Sequence, residues 1–482
     1  MRRRRGVALL MVLATVAVMT TVVMEFVHDS QVRSRIAANA RDSVRAYFLA
    51  RSGMEMSRLM IAFMKQSPCP VSSGLAGAMA AANPPSGSGT KNPSGAGSAP
   101  RAATCEDELR VLQQMLNLPP TPFWKMLPIT SELFQGVADG SFGAMLGVPA
   151  PPLVMGVESA DPAAQLQDID EGSGVLFGDL PGTFSVEIDD EDRKIPLKSL
   201  WKGTPAQNRA AMMRLAALIA PPRFDALFGG INSRGEEADR QEFLSSILDW
   251  MDPDTTISEI DLLTGRRVTS TSPEDARYDS DKAPYRSRNA TFDSIAELRL
   301  VKGFSDEAYR AFADHLSIYS EDKVNIESML AGLLGLQLPD EGGEPSAMSA
   351  PAQFLAGLSV CLTAEQLIQI WQRVGLWYQA VNNCVLVGLL PEESQVDVLC
   401  PLEPNPPINP FPKFFVEALA QLSEAEGISF DKTKCENAVT ATSRYFKLTS
   451  QAQVGDARRT LTMVIRHAPT DAQEERYYWR EE

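Results

Sequence analysis

The first long pattern in the chain is an uncharged run from Val7 to Met24 (VALLMVLATVAVMTTVVM), preceded by Arg2 to Arg5 and Gly6. As a helix at about 1.5 Å per residue it spans roughly 27 Å, near the hydrocarbon thickness of a bilayer. Basic residues stay on the cytoplasmic side, so the remainder of the chain is expected outside. The run does not end like a cleaved secretory signal. Glu25-Phe26-Val27-His28-Asp29 stands where a small-x-small site should be, and Ala38-Asn39-Ala40 lies far downstream. Instead the helical period continues. Val32, Ile36, Ala40, Val44, Tyr47 and Phe48 recur at spacings of three and four, with Arg33, Arg35, Arg41, Asp42 and Arg45 between them. No proline interrupts before Pro68, and the pattern predicts one helix over 7–64.

Beyond that helix the periodicity stops. Residues 68–104 are dominated by Pro, Gly, Ala and Ser, too poor in apolar surface to repay ordering, and read as a loop. Cys69 and Cys105 bracket it, and a location outside the cytoplasm permits a disulfide between them. The six cysteines allow about fifteen pairings, and the sequence does not choose among them. Cys361, Cys384, Cys400 and Cys435 lack CxxC spacing, which argues against zinc. Alternation over Thr183–Ile188 predicts a strand, followed by an acidic turn and a second short strand near Lys194–Leu197. Helical stripes follow at Met212, Met213, Leu215, Leu218 and Ile219, and at Phe243, Leu244, Ile247, Leu248 and Met251. Near the end, Tyr445–Val454 and Arg459–Arg466 flank Gly455-Asp456 as a hairpin, and Arg476–Arg480 supplies a last strand. Such strands need partners, and the segment 183–197 is the available one.

The expected fold class is therefore α+β: a long amino-terminal transmembrane helix packed on an antiparallel sheet, with a large inserted helical domain. The divisions expected are a leader at 1–6, the helix at 7–64, an insertion segment at 65–175, sheet at 176–200 and 440–482, and the helical domain at 201–439.

Composition changes this picture in one respect. Among 482 residues, 45 Lys and Arg face 61 Asp and Glu, a net charge of −16, with only three His. That balance opposes phosphate as the main partner, since counterion release needs clustered cations, and opposes a His-rich metal enzyme. Acidic residues concentrate in LDWMDPD (Asp249, Asp252, Asp254) and continue through Glu259, Asp261, Glu274, Asp275, Asp279 and Asp281. Carboxylate-rich loops suit Ca²⁺, although the EF-hand pattern is absent. A second candidate, IAELRLVKGFSDEAYRAFADHL, reads as a helix-hairpin-helix, a unit whose DNA-binding versions hold phosphate on hairpin amides. Here Arg299 and Lys302 are offset by Asp306 and Glu307, favouring packing, and His315 falls on the apolar side. No Gly-x-Ser-x-Gly or His-Glu-x-x-His motif supports a hydrolase.

The basic leader, Gly6, the apolar helix and the RAYFLARSGMEMS continuation resemble type IV pilins and type II secretion pseudopilins. The order LDWMDPD, PEDARY, PYRSRNATFDSIAELRLVKGF, KVNIE resembles the protein K family of type II secretion, a large minor pseudopilin. The resemblance implies cleavage by a prepilin peptidase after Gly6 and methylation of the new terminus at Val7. The family's usual glutamate at the fifth mature position is replaced here by Met11, which suits a subunit with no neighbour to neutralise. It implies no enzyme activity, and a role in forming, capping and priming the pseudopilus tip. Implied partners are the I- and J-type minor pseudopilins, the major pseudopilin, the inner-membrane assembly platform, and secreted substrate or the outer-membrane secretin, with no nucleic acid. It also implies a single-pass inner-membrane protein of a Gram-negative bacterium with its large domain in the periplasm. Family Ca²⁺ binding points to Asp252, Asp254, Glu274 and Asp275. The alternative is a membrane-anchored, competence-type DNA-binding protein using the hairpin. Removing the leader arginines takes the side-chain balance from −16 to −20.

Overall fold

The computed structural model describes residues 3–65, 105–106, 109, 122–126, 129–132, 182–220, 224–228, 239–261, 266–279, 284–321, 323–330, 350–389, 400–402, 411–467 and 475–482. Cys69 and the tract 68–104 lie outside them, and Cys105 is disulfide-bonded. One helix, α1 (Arg3–Lys65), runs unbroken through 63 residues. From Met11 to Met24 its side chains are exposed, and an 18-residue window is long and apolar enough to cross a membrane. The second half turns Ala46, Leu49, Ala50, Met54 and Ile61 onto a sheet.

That sheet has five antiparallel strands in spatial order β1 (Ile129–Thr130), β2 (Thr183–Asp190), β3 (Tyr445–Val454), β4 (Ala457–Arg466) and β5 (Glu475–Glu481). The α+β architecture is that expected from the periodicity. β1 carries no pattern of its own, since two residues, Ile129 opposite Val186 and Thr130 opposite Ser185, are too few to alternate. The β3–β4 turn uses Gly455 at φ +56°, a conformation that favours glycine. Phe184, Ile188, Phe446, Leu448, Leu461, Met463 and Ile465 bury one sheet face against α1. Close approach there needs Gly53: a Cβ at this position would stand 2.7 Å from the Phe184 ring and 2.9 Å from Val186. Arg459 adds a polar fastening, donating to Ser43 Oγ from Nε (3.0 Å) and Nη2 (2.7 Å).

The strand expected near Lys194–Leu197 is not part of this sheet. Asp190 accepts from the Asp192 amide and caps a 3₁₀ turn at Glu191–Arg193, which turns the chain out of the sheet plane. Of that segment only Ile195–Pro196 pairs as a strand, bridging in parallel to Leu316–Ser317. Residues 191–444 thus lie between two adjacent strands, β2 and β3. They contain two apolar cores. The first joins Met212, Leu215, Phe243, Ile247, Leu298, Phe304 and Phe312. The second joins Ile326, Phe354, Leu358, Trp377, Phe411 and Phe415, with Ala217 reaching it from the helix Pro205–Ile219. Disulfides Cys361–Cys435 and Cys384–Cys400 cross-link the second core, fixing pairings the sequence left open.

Where the chain leaves and re-enters the sheet, buried charge gathers. Asp190 Oδ2 accepts from Asn325 Nδ2 (3.1 Å) and Ser443 Oγ (2.5 Å), and Asp192 Oδ2 accepts from the amides of Arg444 (2.6 Å) and Tyr445 (3.2 Å). Burial, then the neighbouring Asp192 charge, pushes the Asp190 carboxyl up to about 7, and burial raises Asp192 as well. Burial would raise Asp189 too, but Arg193 and Lys194 hold it well below the usual carboxylate range.

Two outcomes are expected. Gly53→Ala should destabilise the fold by about 1–3 kcal/mol in urea unfolding, because the overpacked methyl meets Phe184 and Val186. For Asp190 the folded value of about 7 exceeds the ordinary 3.8, so its contribution is fully present below the ordinary value and is lost as pH rises toward 7. The melting temperature of the wild type relative to Asp190→Asn should therefore decline between pH 4 and 7 and level off above; parallel curves would refute the assignment.

Candidate functional site

The helix Arg240–Met251 starts at Asp239, whose carboxylate accepts from the Glu242 amide. It buries Phe243, Leu244, Ile247 and Leu248 and stops at Pro253. Its last turn therefore carries Asp249 into the interior, and Asp252, one turn further at the carboxyl-terminal cap, onto the same face. Opposite stands an antiparallel hairpin, Thr256–Ile260 paired with Arg267–Pro273, followed directly by Glu274. The Glu274 amide donates to Thr255 O at 3.1 Å, which holds the end of the hairpin beside the end of the helix.

These elements bring one oxygen each of Asp249, Asp252 and Glu274 within 4.8 Å of one another. All three residues are buried, at 1%, 0% and 1% exposure. Asp249 Oδ1 accepts from the Ser258 amide at 2.8 Å, and its Oδ2 lies 3.1 Å from Arg277 Nη1. Among the described residues, none of the four carboxylate oxygens of Asp252 and Glu274 has a hydrogen-bond donor. Asp252 has instead an unaligned ion pair, Oδ2 to Arg267 Nη2 at 2.6 Å. Burial, reinforced by the other carboxylates, drives Glu274 up to about 8; burial also raises Asp252 to about 6, against the pull of Arg267.

Of the four residues singled out in the sequence, Asp252 and Glu274 meet in this pocket. Asp254 is more exposed and otherwise engaged: Oδ1 accepts from Thr256 N (2.9 Å) and Oγ1 (2.7 Å), and Oδ2 pairs with Arg267 at 2.7 Å. Against its burial, those bonds hold its carboxyl below the ordinary value. Asp275 faces the following loop, accepting from the Ser287 amide at 3.1 Å. Asp249 takes the third place. Its signal was present in LDWMD, where it precedes Asp252 by one helical turn and sits among apolar neighbours. The donor set is all oxygen, and among the described residues no His or Cys joins it. Two buried carboxylates without donors and a third beside them fit a hard divalent cation.

The hairpin of the second candidate is a packing unit. Leu298, Val301, Phe304 and Phe312 are fully buried, and Phe304 stacks on Phe243 at 4.6 Å. Gly303 supplies φ +81° at the bend. The Lys302 amide donates to Tyr278 Oη at 3.4 Å, while Arg299 covers the Tyr309 ring at 4.1 Å and pairs with Asp306 at 3.6 Å. His315 is half-buried, and burial together with Arg193 lowers its pKa to about 4, leaving it neutral. Gly6 and Val7 lie within α1, and Met11 follows on it, 66% exposed.

Residues 197–321, which contain both the acidic pocket and the hairpin, match the family described as type II secretion system (T2SS), protein K. Over these residues the chain is similar to type II secretion protein K. No curated protein matches the chain by sequence. Among solved structures it is similar to a chain of the GspK-GspI-GspJ complex from the type 2 secretion system of enterotoxigenic Escherichia coli. That likeness has 15% identity and a TM-score of 0.32, covering 63% of this chain and 80% of that chain. The matched segment begins just after β2 and, apart from Ala217, ends before the second apolar core, so it is the first half of the insertion.

Proposed function

We propose that the protein is the K-type minor pseudopilin of a type II secretion system, a non-enzymatic subunit that joins I- and J-type minor pseudopilins, caps the pseudopilus tip and primes its assembly. The observation that carries this reading is the protein K-like segment held on a sheet behind a 63-residue helix that is apolar and exposed from Met11 to Met24. The apolar half of α1 anchors the chain in the inner membrane, and the folded part stands in the periplasm. Prepilin peptidase cuts between Gly6 and Val7 and methylates Val7, after which Val7–Met24 packs against the helices of other subunits. A body built around residues 191–444 is sterically hard to bury in a filament shaft and tolerable at its end. The major pseudopilin and the assembly platform meet it through the helix, and secreted substrate or the secretin through the exposed body. DNA binding is disfavoured, since the Lys302 amide is engaged by Tyr278 and Arg299 by Tyr309 and Asp306.

Asp249, Asp252 and Glu274 would hold Ca²⁺ in this reading. The ion would supply the positive charge that the buried oxygens lack, tying the helix end to the hairpin.

Gly6→Val should leave the chain at precursor length on immunoblots and lower secretion, and wild-type protein should co-purify with the I- and J-type minor pseudopilins of its own genome. A processed, secretion-competent Gly6→Val chain, or failure to co-purify, would overturn the assignment. For the metal, Ca²⁺ at a hundredfold excess over Kd should stabilise the wild type by about 3 kcal/mol relative to chelator. Asp252→Asn should abolish that gain and Asp275→Asn retain it.

A further inference from the structure

The acidic pocket contains two arginines in different states. Arg277 is fastened to the helix that carries Asp249: its Nη1 bonds Ser246 Oγ at 2.6 Å and its Nη2 bonds Ser245 Oγ at 3.0 Å. Arg267 has no comparable fixture. It stands on the first residue of the second hairpin strand, and its Nε is buried with no hydrogen-bond partner. A single nitrogen, Nη2, serves both Asp252 Oδ2 (2.6 Å) and Asp254 Oδ2 (2.7 Å), with an aligned bond only to Asp254. The guanidinium lies over the Trp201 ring at 5.0 Å. One arginine is held by neutral hydroxyls wherever the charge goes; the other rests between two acids.

We propose that Arg267 is a resident counter-ion that competes with a divalent cation for Asp252 and moves onto Asp254 and Trp201 when the cation binds. The inference rests on reading the pocket as a cation site. Asp249, Asp252, Asp254 and Glu274 against Arg267 and Arg277 leave two negative charges uncompensated when all are ionised, matching one divalent ion. Asp252 and Glu274 are more than nine-tenths buried, and their oxygens have no donors, so the pocket is incomplete with the guanidinium alone. A cation on Asp252 repels a guanidinium 2.6 Å from the same carboxylate, and the contact already made to Asp254 gives the guanidinium an adjacent alternative. Asp254 is then a landing site for the arginine and contributes no ligand. Because Arg267 is part of the 256–273 hairpin, ion exchange at the pocket alters the side-chain packing that ties this hairpin to Trp201.

The test is calorimetric titration of the full detergent-solubilised chain with Ca²⁺, for the wild type, Arg267→Gln and Asp254→Asn. Removing the competing charge should tighten the Kd of Arg267→Gln by about tenfold or more. Asp254→Asn should weaken Ca²⁺ binding, although it removes no ligand, because the arginine then has only Asp252. An unchanged or weaker Kd for Arg267→Gln overturns the proposal, since an arginine that merely shapes the pocket would help binding. Hydrogen exchange on the wild type gives a second reading that needs no variant: Ca²⁺ should change protection at residues 267–270, and no change overturns the displacement. Absence of Ca²⁺ binding in both the wild type and Arg267→Gln would sink the cation reading itself. Binding by Arg267→Gln alone would uphold the competition while removing Ca²⁺ from the wild-type function.

Discussion

Everything in the folded body depends on one long-range pairing, that of Thr183–Asp190 with Tyr445–Val454. It joins strands separated by residues 191–444, and the loop-closure entropy of that span opposes it before any packing is gained. The pairing is held at its end by polar chemistry: Asp190 collects Asn325 and Ser443, and Asp192 collects the amides of Arg444 and Tyr445. Departure, return and the interior of the insertion therefore meet at two carboxylates. Burial raises the proton affinity of both, and hydrogen bonds from backbone amides and uncharged side chains offset it only in part.

The acidic pocket at Asp249, Asp252 and Glu274 solves a similar problem differently. There the elements to be joined are a helix end and a hairpin, and the carboxylates meet two arginines. Among the described residues, at the junction Asp190 is satisfied on both oxygens and Asp192 Oδ1 alone lacks a donor, whereas in the pocket all four oxygens of Asp252 and Glu274 lack one. Two clusters of buried acid in one insertion thus have different physical meanings: one closes a chain crossing, and the other is short of positive charge.

Much of this was legible in the sequence, and the reasons differ by element. The long helix was readable because its period persists without proline across a change of solvent. Strands at 183–190, 445–454 and 457–466 were readable because each has one wet face. The strand expected at 194–197 was misplaced, since four residues of extended pattern do not reveal which partner they meet. Asp190 capping its own turn decides that, and capping is a three-dimensional fact. In the pocket, the family resemblance pointed to Asp252 and Glu274 but could not separate them from Asp254 and Asp275. What separates them is burial, set by a hairpin register that begins at Arg267 and by Thr256 and Ser287 amides claiming the other two carboxylates.

The spatial order of the sheet fixes an order in time. β3 and β4, its third and fourth strands, are made of residues 445–466, which are synthesised after the whole insertion. Until they arrive, β2 lacks its principal neighbour, and Ala46 to Ile61 on α1 are covered only by Trp124, β1 and β2. The two helical cores, by contrast, are completed by residue 439, and both cross-links of the second core by residue 435. The insertion can therefore mature while its host is still open, attached to a long helix made before it. A chain truncated anywhere before β4 would retain the anchor and much of the bulk, yet lack the surface on which the long helix is seated.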